Sequence, residues 1–223
     1  MSKNMQIICF ANSKKELERC IAGKSTTDKS WIRPVSNSEK HEVSSKERQY
    51  SNGDEPNPLD KISIKLNRYF PYKHQQENYL LDSSFHWIKD GQISWNEIPK
   101  WIDEPSKLWF NYNDERNDKV PLSANEESSL YLIHVNELLI EVCIFSAEEK
   151  TKRKIRGIFY YKNIKYNLVI TDPYIEKVFC NEGEYCLNDV YMCISLAGAP
   201  FAPKNQKPHF YKLIASVIYK ERF

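Results

Sequence analysis

The chain has 223 residues, 41% of them hydrophobic, so it is long enough for one large or two small domains and apolar enough to bury a core. The formal net charge of +2 is close to balanced and is spread evenly over both halves, so a nucleic-acid partner would have to meet a local basic patch. No apolar run approaches the roughly 18 residues that a membrane helix needs, so no membrane contact is predicted.

The first part of the chain predicts strands that are separated by polar turns. The apolar run Met5–Ala11 is too short for a signal peptide and is followed by charged residues, so we expect a cytoplasmic protein. Trp31–Val35 is predicted to be extended, because the residue before Pro34 is biased away from helix. Residues 59–66 alternate apolar and polar side chains, which indicates a half-buried strand.

A Trp-rich irregular segment follows, from about residue 88 to residue 125. It includes the stretch SWNEIPKWI, in which Ser94 and Glu97 form a capping-type pair that predicts a short helix. We expect this segment to pack against a sheet, because large aromatic side chains contribute most to stability when they are buried.

After about Ser123 the pattern changes, and short apolar strands follow one another closely. Four of them lie between Tyr131 and Thr171, with a predicted hairpin turn at Lys162–Asn163, and two more follow. Five or six short strands without a long helix predict a small barrel or sandwich. We therefore predict a mainly β protein with minor α content and two domains, 1–125 and 126–223.

Several short motifs, in a fixed order along most of the chain, resemble those of the dual OB-fold-containing domain family of prokaryotes. They are CIAGK and WIRPVS within Cys20–Ser36, LD at Leu59–Asp60, HQQEN at His74–Asn78, TDP at Thr171–Pro173, SL at Ser195–Leu196 and YKLIASVI at Tyr211–Ile218. The resemblance implies two OB-like small barrels in tandem and binding of nucleic acid or a nucleotide. For some members it also implies a place in prokaryotic antiviral defence, and with it a defence-system partner protein. It implies no enzymatic activity.

The segment Arg19–Ser36 combines cations with a tryptophan, and OB folds bind single strands through cationic grooves and aromatic platforms. The planar guanidinium of Arg33 suits phosphate or a guanine edge. Four residues of this segment are therefore predicted to contact the ligand: Lys24, Trp31, Arg33 and Ser36.

The direction of these side chains depends on which face of the strand is buried. Because a strand alternates its faces, Trp31 and Arg33 share one face and Ile32 takes the other. If Ile32 is buried, Trp31 and Arg33 point outward together, toward the ligand. If Trp31 is buried instead, Arg33 is buried with it and must be paired, with Glu77 or Asp60 as the candidates.

A dense polar cluster at Gln75, Glu77 and Asn78 is the second predicted part of the ligand surface. Glutamine and asparagine side chains can bind base edges through paired hydrogen bonds, and a glutamate can accept from an amino group. The alternative is a turn in which these side chains hold backbone groups. On the binding hypothesis, this cluster meets Lys24 and Arg33 at one surface.

The densest basic run is Lys150–Arg156, which is predicted to lie at a hairpin tip. Lys152 and Arg153 are its predicted phosphate contacts, since loops that connect strands contribute to binding in OB folds. A merely solvated charge run is the alternative. Lys212, at the start of the last strand, is predicted to face the ligand or else to discourage pairing at a strand edge.

Catalytic and metal-binding motifs are missing from the sequence. It has no phosphate-binding glycine loop, nucleophile elbow or HExxH pattern, and the six cysteines do not have zinc-site spacing. We therefore predict no cofactor, no metal and a non-enzymatic module that binds or senses DNA, RNA or a small nucleotide. The alternatives are an aromatic-rich scaffold for protein interaction, or a metal-dependent enzyme acting on nucleic acid and built around Glu77, Asp60, Asp172 and a histidine.

Overall fold

The computed structural model describes residues 2–15, 18–147, 150–204 and 206–223. Its internal contacts divide the chain into two units, Met1–Trp101 with Glu127–Leu130 and Ile102–Glu126 with Tyr131–Phe223. Each unit has its own sheet and its own apolar core. The domain division at residue 125 stays a prediction. No described helix is long and apolar enough to span a membrane.

The first unit is built on a closed five-stranded barrel. Its elements are β1 (Lys3–Lys15), β2 (Glu18–Ser25), β3 (Trp31–Val35), α1 (Ser45–Arg48), β4 (Asp60–Tyr69), β5 (Asn78–Leu81), β6 (Ile88–Gln92) and a 3-10 helix (Trp95–Trp101). The barrel strands pair in the order β1-β2-β3-β5-β4, and β4 pairs again with β1, which closes the sheet. β3 and β5 are parallel, whereas the other four barrel pairs are antiparallel. β6 pairs with the first residues of β4.

Side-chain alternation fills this barrel. Ile7 of β1 lies opposite Ile62 of β4, and both are fully buried in the first core. Ile64 and Leu66 continue the buried face of β4, as the alternating pattern of residues 59–66 predicts. The polar residues between them take the outer face.

The second unit repeats the arrangement. Its elements are β7 (Lys119–Pro121), β8 (Leu130–Ala147), β9 (Lys150–Tyr161), β10 (Ile164–Ile170), α2 (Pro173–Val178), β11 (Gly183–Leu196), β12 (His209–Ile218) and a 3-10 helix (Lys220–Arg222). The strands pair in the order β8-β9-β10-β12-β11, and β11 is hydrogen-bonded to β8. β10 and β12 are parallel.

Both barrels therefore have the same strand order, the same parallel pairing of third and fifth strands, and a short helix between third and fourth strands. This confirms the predicted fold class, a mainly β chain with two OB-like barrels in tandem. The predicted hairpin turn is also present: Tyr161 pairs with Ile164, and Lys162 and Asn163 between them have φ of 47° and 65°. Positive φ at both positions is what a type I′ hairpin turn requires.

Part of the Trp-rich segment packs on the second barrel, where Leu108 and Trp109 belong to the core. Lys212 of β12 holds this segment in place. Its side chain is 0% exposed, and Nζ donates to Phe110 O at 2.7 Å, Asn111 Oδ1 at 2.6 Å and Asn117 O at 2.7 Å. Burial lowers the pKa of Lys212 to about 7, and the negative charges of Asp118, Glu126 and Asp114 oppose that shift because they favour the ammonium form.

Replacing this lysine tests whether it acts as a tether. Lys212→Met leaves three buried or partly buried oxygens without their donor, and each unsatisfied buried acceptor costs about 1–3 kcal/mol. We expect the variant to lose about 3 kcal/mol or more of unfolding free energy in urea denaturation. Lys220→Met, which changes an exposed lysine of the same unit, should change it by less than about 0.5 kcal/mol. Equal midpoints for the two variants would contradict the tether.

Candidate nucleic-acid interface

The predicted cation and aromatic residues of the first unit lie on the outer face of β2 and β3. Ile32 points into the core, so Trp31 and Arg33 share the opposite face of β3. Lys24 of β2 pairs with Trp31, and its ammonium lies 5.1 Å from the Trp31 ring centroid. The strand orientation is the one the outward alternative described, on the strands that OB folds use for ligands.

This outer face is covered by the chain itself. The Lys24 ammonium donates to the carbonyl oxygen of Trp101, at the end of the 3-10 helix, over 2.7 Å. The Trp101 ring lies 6.1 Å from that of Phe10, which in turn lies 6.2 Å from Trp31. Lys29 donates to the carbonyl of Lys100 at 3.1 Å. Lys24 is therefore buried, and its ammonium already donates a hydrogen bond to a backbone carbonyl.

Arg33 is also covered, through an ion pair. Its guanidinium lies 3.1 Å from the Glu77 carboxylate, and the two residues are 5% and 8% exposed. The hydroxyl of Ser129 donates to the same carboxylate. Arg33 thus points outward from the barrel and is nevertheless buried, with the partner that the buried alternative named.

The remaining predicted residues of this unit stand around that ion pair. Asn78 is the register partner of Arg33 across the parallel β3–β5 pair, and its amide donates to Gln75 Oε1 at 3.2 Å. Ser36 donates to Glu47 of α1 at 2.8 Å. The structure brings together four predicted residues, Arg33, Glu77, Asn78 and Gln75. Their ion pair, strand pairing and hydrogen bond connect β3 to β5 and to the loop before it. Their contacts with a ligand stay predictions.

An aromatic cleft of about 370 Å³ lies in the same unit. Tyr69 and Tyr79 are register partners across β4 and β5, with ring centroids 5.2 Å apart, and Tyr69 donates to Gln76 at 3.1 Å. Trp31 supplies a third ring to the lining. The other lining residues are Ser30, Gln76, Glu77, Glu127, Ser128 and Leu130.

Two cations lie near the connection between β4 and β5: Lys73 in the loop, and Arg68 at the end of β4, on the opposite face of that strand from Tyr69. Arg68 and Lys73 are exposed. The Arg68 guanidinium lies 5.3 Å from the Phe70 ring centroid, and the Lys73 ammonium lies 5.1 Å from that of Tyr72. OB folds use this fourth-to-fifth-strand loop for binding. Sequence reasoning missed these residues, although the stretch RYFPYKHQQENY interleaves aromatic rings with cations.

In the second unit, Lys152 and Arg153 lie on opposite faces of β9 because they are adjacent in a strand. Lys152 is exposed and pairs with Phe145 across β8 and β9. Arg153 donates to the carbonyl of Cys180 at 3.4 Å, beyond the end of α2. Lys212 presents no exposed atom to a ligand. The ligand contacts of all three stay predictions.

The other acids that the enzyme alternative requires are also paired. Asp60 is fully buried, accepts from the Tyr50 hydroxyl at 3.0 Å and lies 2.6 Å from the Lys89 ammonium. Asp172 lies 2.5 Å from the Arg222 guanidinium and caps α2 by accepting from a backbone N–H. Among the described residues, no three His, Cys, Asp or Glu side chains are grouped so as to hold a metal ion.

The buried ion pair of Arg33 and Glu77 is expected to contribute to the stability of the fold. Arg33→Ala leaves the Glu77 carboxylate buried without its cation, which costs about 3–5 kcal/mol. We expect a large fall in the thermal unfolding midpoint, and partial recovery in the double variant Arg33→Ala, Glu77→Gln, which removes both charges. Arg68→Ala is the matched control, since it truncates an exposed arginine of the same unit. A midpoint for Arg33→Ala equal to that of Arg68→Ala would show that the pair contributes little.

Comparison with known proteins identifies the family. No curated protein matches the chain. Among solved structures, a murine DNA-binding protein bound with double-stranded DNA aligns over 99% of this chain and 100% of its own, with 9% identity and a TM-score of 0.30, a likeness too low to carry an argument. The profile of the dual OB-containing domain, in contrast, matches residues 5–217. The chain therefore belongs to the dual OB-containing domain family.

Proposed function

We propose that this protein binds nucleic acid or a nucleotide, without catalysing a reaction, through the aromatic cleft of its first unit. The observation that carries the proposal is the convergence of Trp31, Tyr69 and Tyr79 on one cleft, with exposed Lys73 in the adjoining loop, where its carbonyl accepts from the cleft residue Gln76. Single-strand binders combine these two elements, aromatic rings for the bases and cations for the backbone.

The size and chemistry of the cleft suit a single base. Its volume of about 370 Å³ lies at the lower end of the range for small-molecule sites, roughly 300–1,000 Å³. The rings offer stacking surface to any base, and the exposed Glu127 carboxylate can accept a hydrogen bond from an exocyclic amino group. Glu77 also lines the cleft, and its charge is balanced by Arg33. A flipped-out or unpaired base, or the base of a free nucleotide, is therefore the ligand group that we assign to it.

The finer part of the proposal is the biological setting. The motif resemblance supports a cytoplasmic module of a prokaryotic antiviral defence system, in which a bound nucleic acid or nucleotide is the signal and a partner protein responds. Arg33, Glu77, Gln75 and Asn78 then contribute by holding β3 and β5, the strands that carry Trp31 and Tyr79. Lys24 and Ser36 contribute to the same barrel by binding the segments that cover it, through Trp101 and Glu47.

Binding measurements with one cleft variant test this proposal. Fluorescence anisotropy with short labelled single strands of DNA and RNA, duplexes and labelled nucleotides should reveal at least one ligand at low salt. Tyr69→Ala should weaken its binding about tenfold, since stacking contributes about 1–3 kcal/mol per base. Tyr112→Ala, an exposed tyrosine in the second unit, should leave the affinity unchanged.

Circular dichroism melting must show both tyrosine variants folded, so that the affinities can be compared. If the unmodified protein binds none of these ligands at low salt, the proposed function is wrong. Equal affinities for Tyr69→Ala and Tyr112→Ala would show instead that the aromatic cleft is not the binding site.

A further inference from the structure

The outer face of β9 in the second barrel carries a row of cations. Val142 of β8 pairs with Ile155 of β9, and both belong to the core. The neighbouring pair, Cys143 with Lys154, must then face outward, as must the pair of Phe145 with Lys152, two residues farther along β8 and two residues back along β9. Lys152 and Lys154 are both exposed.

The third cation of the row is Arg156, which is buried and lies 3.1 Å from the Asp118 carboxylate. Glu141 is its register partner on the same face. Burial lowers the pKa of Lys154, and the positive charges of Arg156 and Arg116 lower it further. Asp118 neutralises Arg156, so Lys152 and Lys154 supply the positive charge that a ligand meets on this face.

Exposed aromatic rings flank the cations. Tyr160 occupies the outer face of the same strand, opposite Lys165, and is 65% exposed. Phe145, opposite Lys152, is 52% exposed. Lysines alone could be explained as protection of a strand edge against pairing. Large exposed rings do not serve that purpose, because they increase the tendency of a surface to associate.

We propose that this face of β9 binds the backbone of a single-stranded nucleic acid, with Lys152 and Lys154 on successive phosphates and Tyr160 stacked on a base. Side chains two residues apart on a strand are about 6.6 Å apart, which is close to the separation of neighbouring phosphates in an extended single strand. Stacking on Tyr160 requires an unpaired base, so a duplex satisfies only the phosphate contacts. The proposal rests on the proposed function for its class of ligand, and it does not depend on the aromatic cleft.

Salt dependence measures the two phosphate contacts directly. For single strands, the slope of log K against log salt is about −0.7 per neutralised phosphate, so the double variant Lys152→Gln, Lys154→Gln should have a slope shallower by about 1.4. The matched control, Lys177→Gln with Lys220→Gln, removes two exposed lysines of the same unit that lie outside this face. Its slope should equal that of the unmodified protein. Both variants are first checked for an unchanged melting midpoint.

A third variant measures the stacking contact. Tyr160→Ala should weaken binding of a single-stranded oligonucleotide about tenfold, leave the salt slope unchanged and have no effect on duplex binding. A single strand that binds more tightly than a duplex of the same length is the expected order of affinities.

The outcomes separate the two proposals. Suppose that oligonucleotides bind and that Tyr69→Ala lowers their affinity, but that the two double lysine variants have the same slope of log K against log salt. Lys152 and Lys154 then only protect a strand edge, and the β9 inference is overturned. Binding of free nucleotides without oligonucleotides also overturns it and leaves the proposed function standing. A duplex preference that Tyr160→Ala does not change rejects the single-strand assignment. Failure of the unmodified protein to bind any of these ligands rejects both proposals.

Discussion

The parallel pairing of the third and fifth strands is the constraint on which each barrel depends, because five strands cannot close into one sheet by antiparallel pairs alone. In the first barrel it sets Arg33 opposite Asn78 and joins the Arg33 N–H to the Glu77 carbonyl at 2.8 Å. The buried ion pair of Arg33 and Glu77 therefore stands at this parallel seam. In the second barrel the same seam joins Val169 to Leu213, next to Lys212.

A buried cation lies at each seam and binds a part of the chain that is outside the barrel strands. Arg33 shares the Glu77 carboxylate with Ser129, and Lys212 donates to the oxygens of residues 110, 111 and 117. Removing a charge from water is costly, so these cations are tolerated only because the covering segments satisfy them. The same segments reduce the exposure of the faces they cover, and this decides which surface remains for a ligand.

Local patterns predicted the fold well because strand alternation and turn preference act over a few residues. The apolar face of residues 59–66 and the positive-φ turn at Lys162–Asn163 are examples. The contacts of the Arg33 side chain could not be predicted from local patterns. Alternation with Ile32 determines the face on which Arg33 lies, but it carries no information about what covers that face. Ser129 comes from a distant part of the sequence, and only the folded chain brings it to the Glu77 carboxylate.

The aromatic cleft is a second case in which local sequence patterns do not predict which residues become neighbours. Tyr69 ends β4 and Tyr79 lies in β5, and each on its own is an ordinary strand residue. Their register pairing makes them neighbours, and the pairing depends on the loop between the strands. Lys212 shows the converse, since its position at the start of a strand suggested an exposed side chain and the Trp-rich segment buries it. In both cases the missing information is the path of an irregular segment, which side-chain periodicity does not encode.

Net charge is a poor guide to ligand binding in a molecule organised this way. Cations that are neutralised by ion pairs within the chain, such as Arg33 with Glu77 and Arg222 with Asp172, contribute little to the electrostatic field that a ligand meets. What a polyanion meets is the charge of the uncovered surface, and this is concentrated at short stretches such as Lys152 and Lys154. Each such stretch can neutralise only a few phosphates, so its electrostatic contribution is small and falls quickly with salt. Aromatic rings beside the cations then have to supply the rest of the affinity, since stacking does not depend on ionic strength in the way that phosphate contacts do.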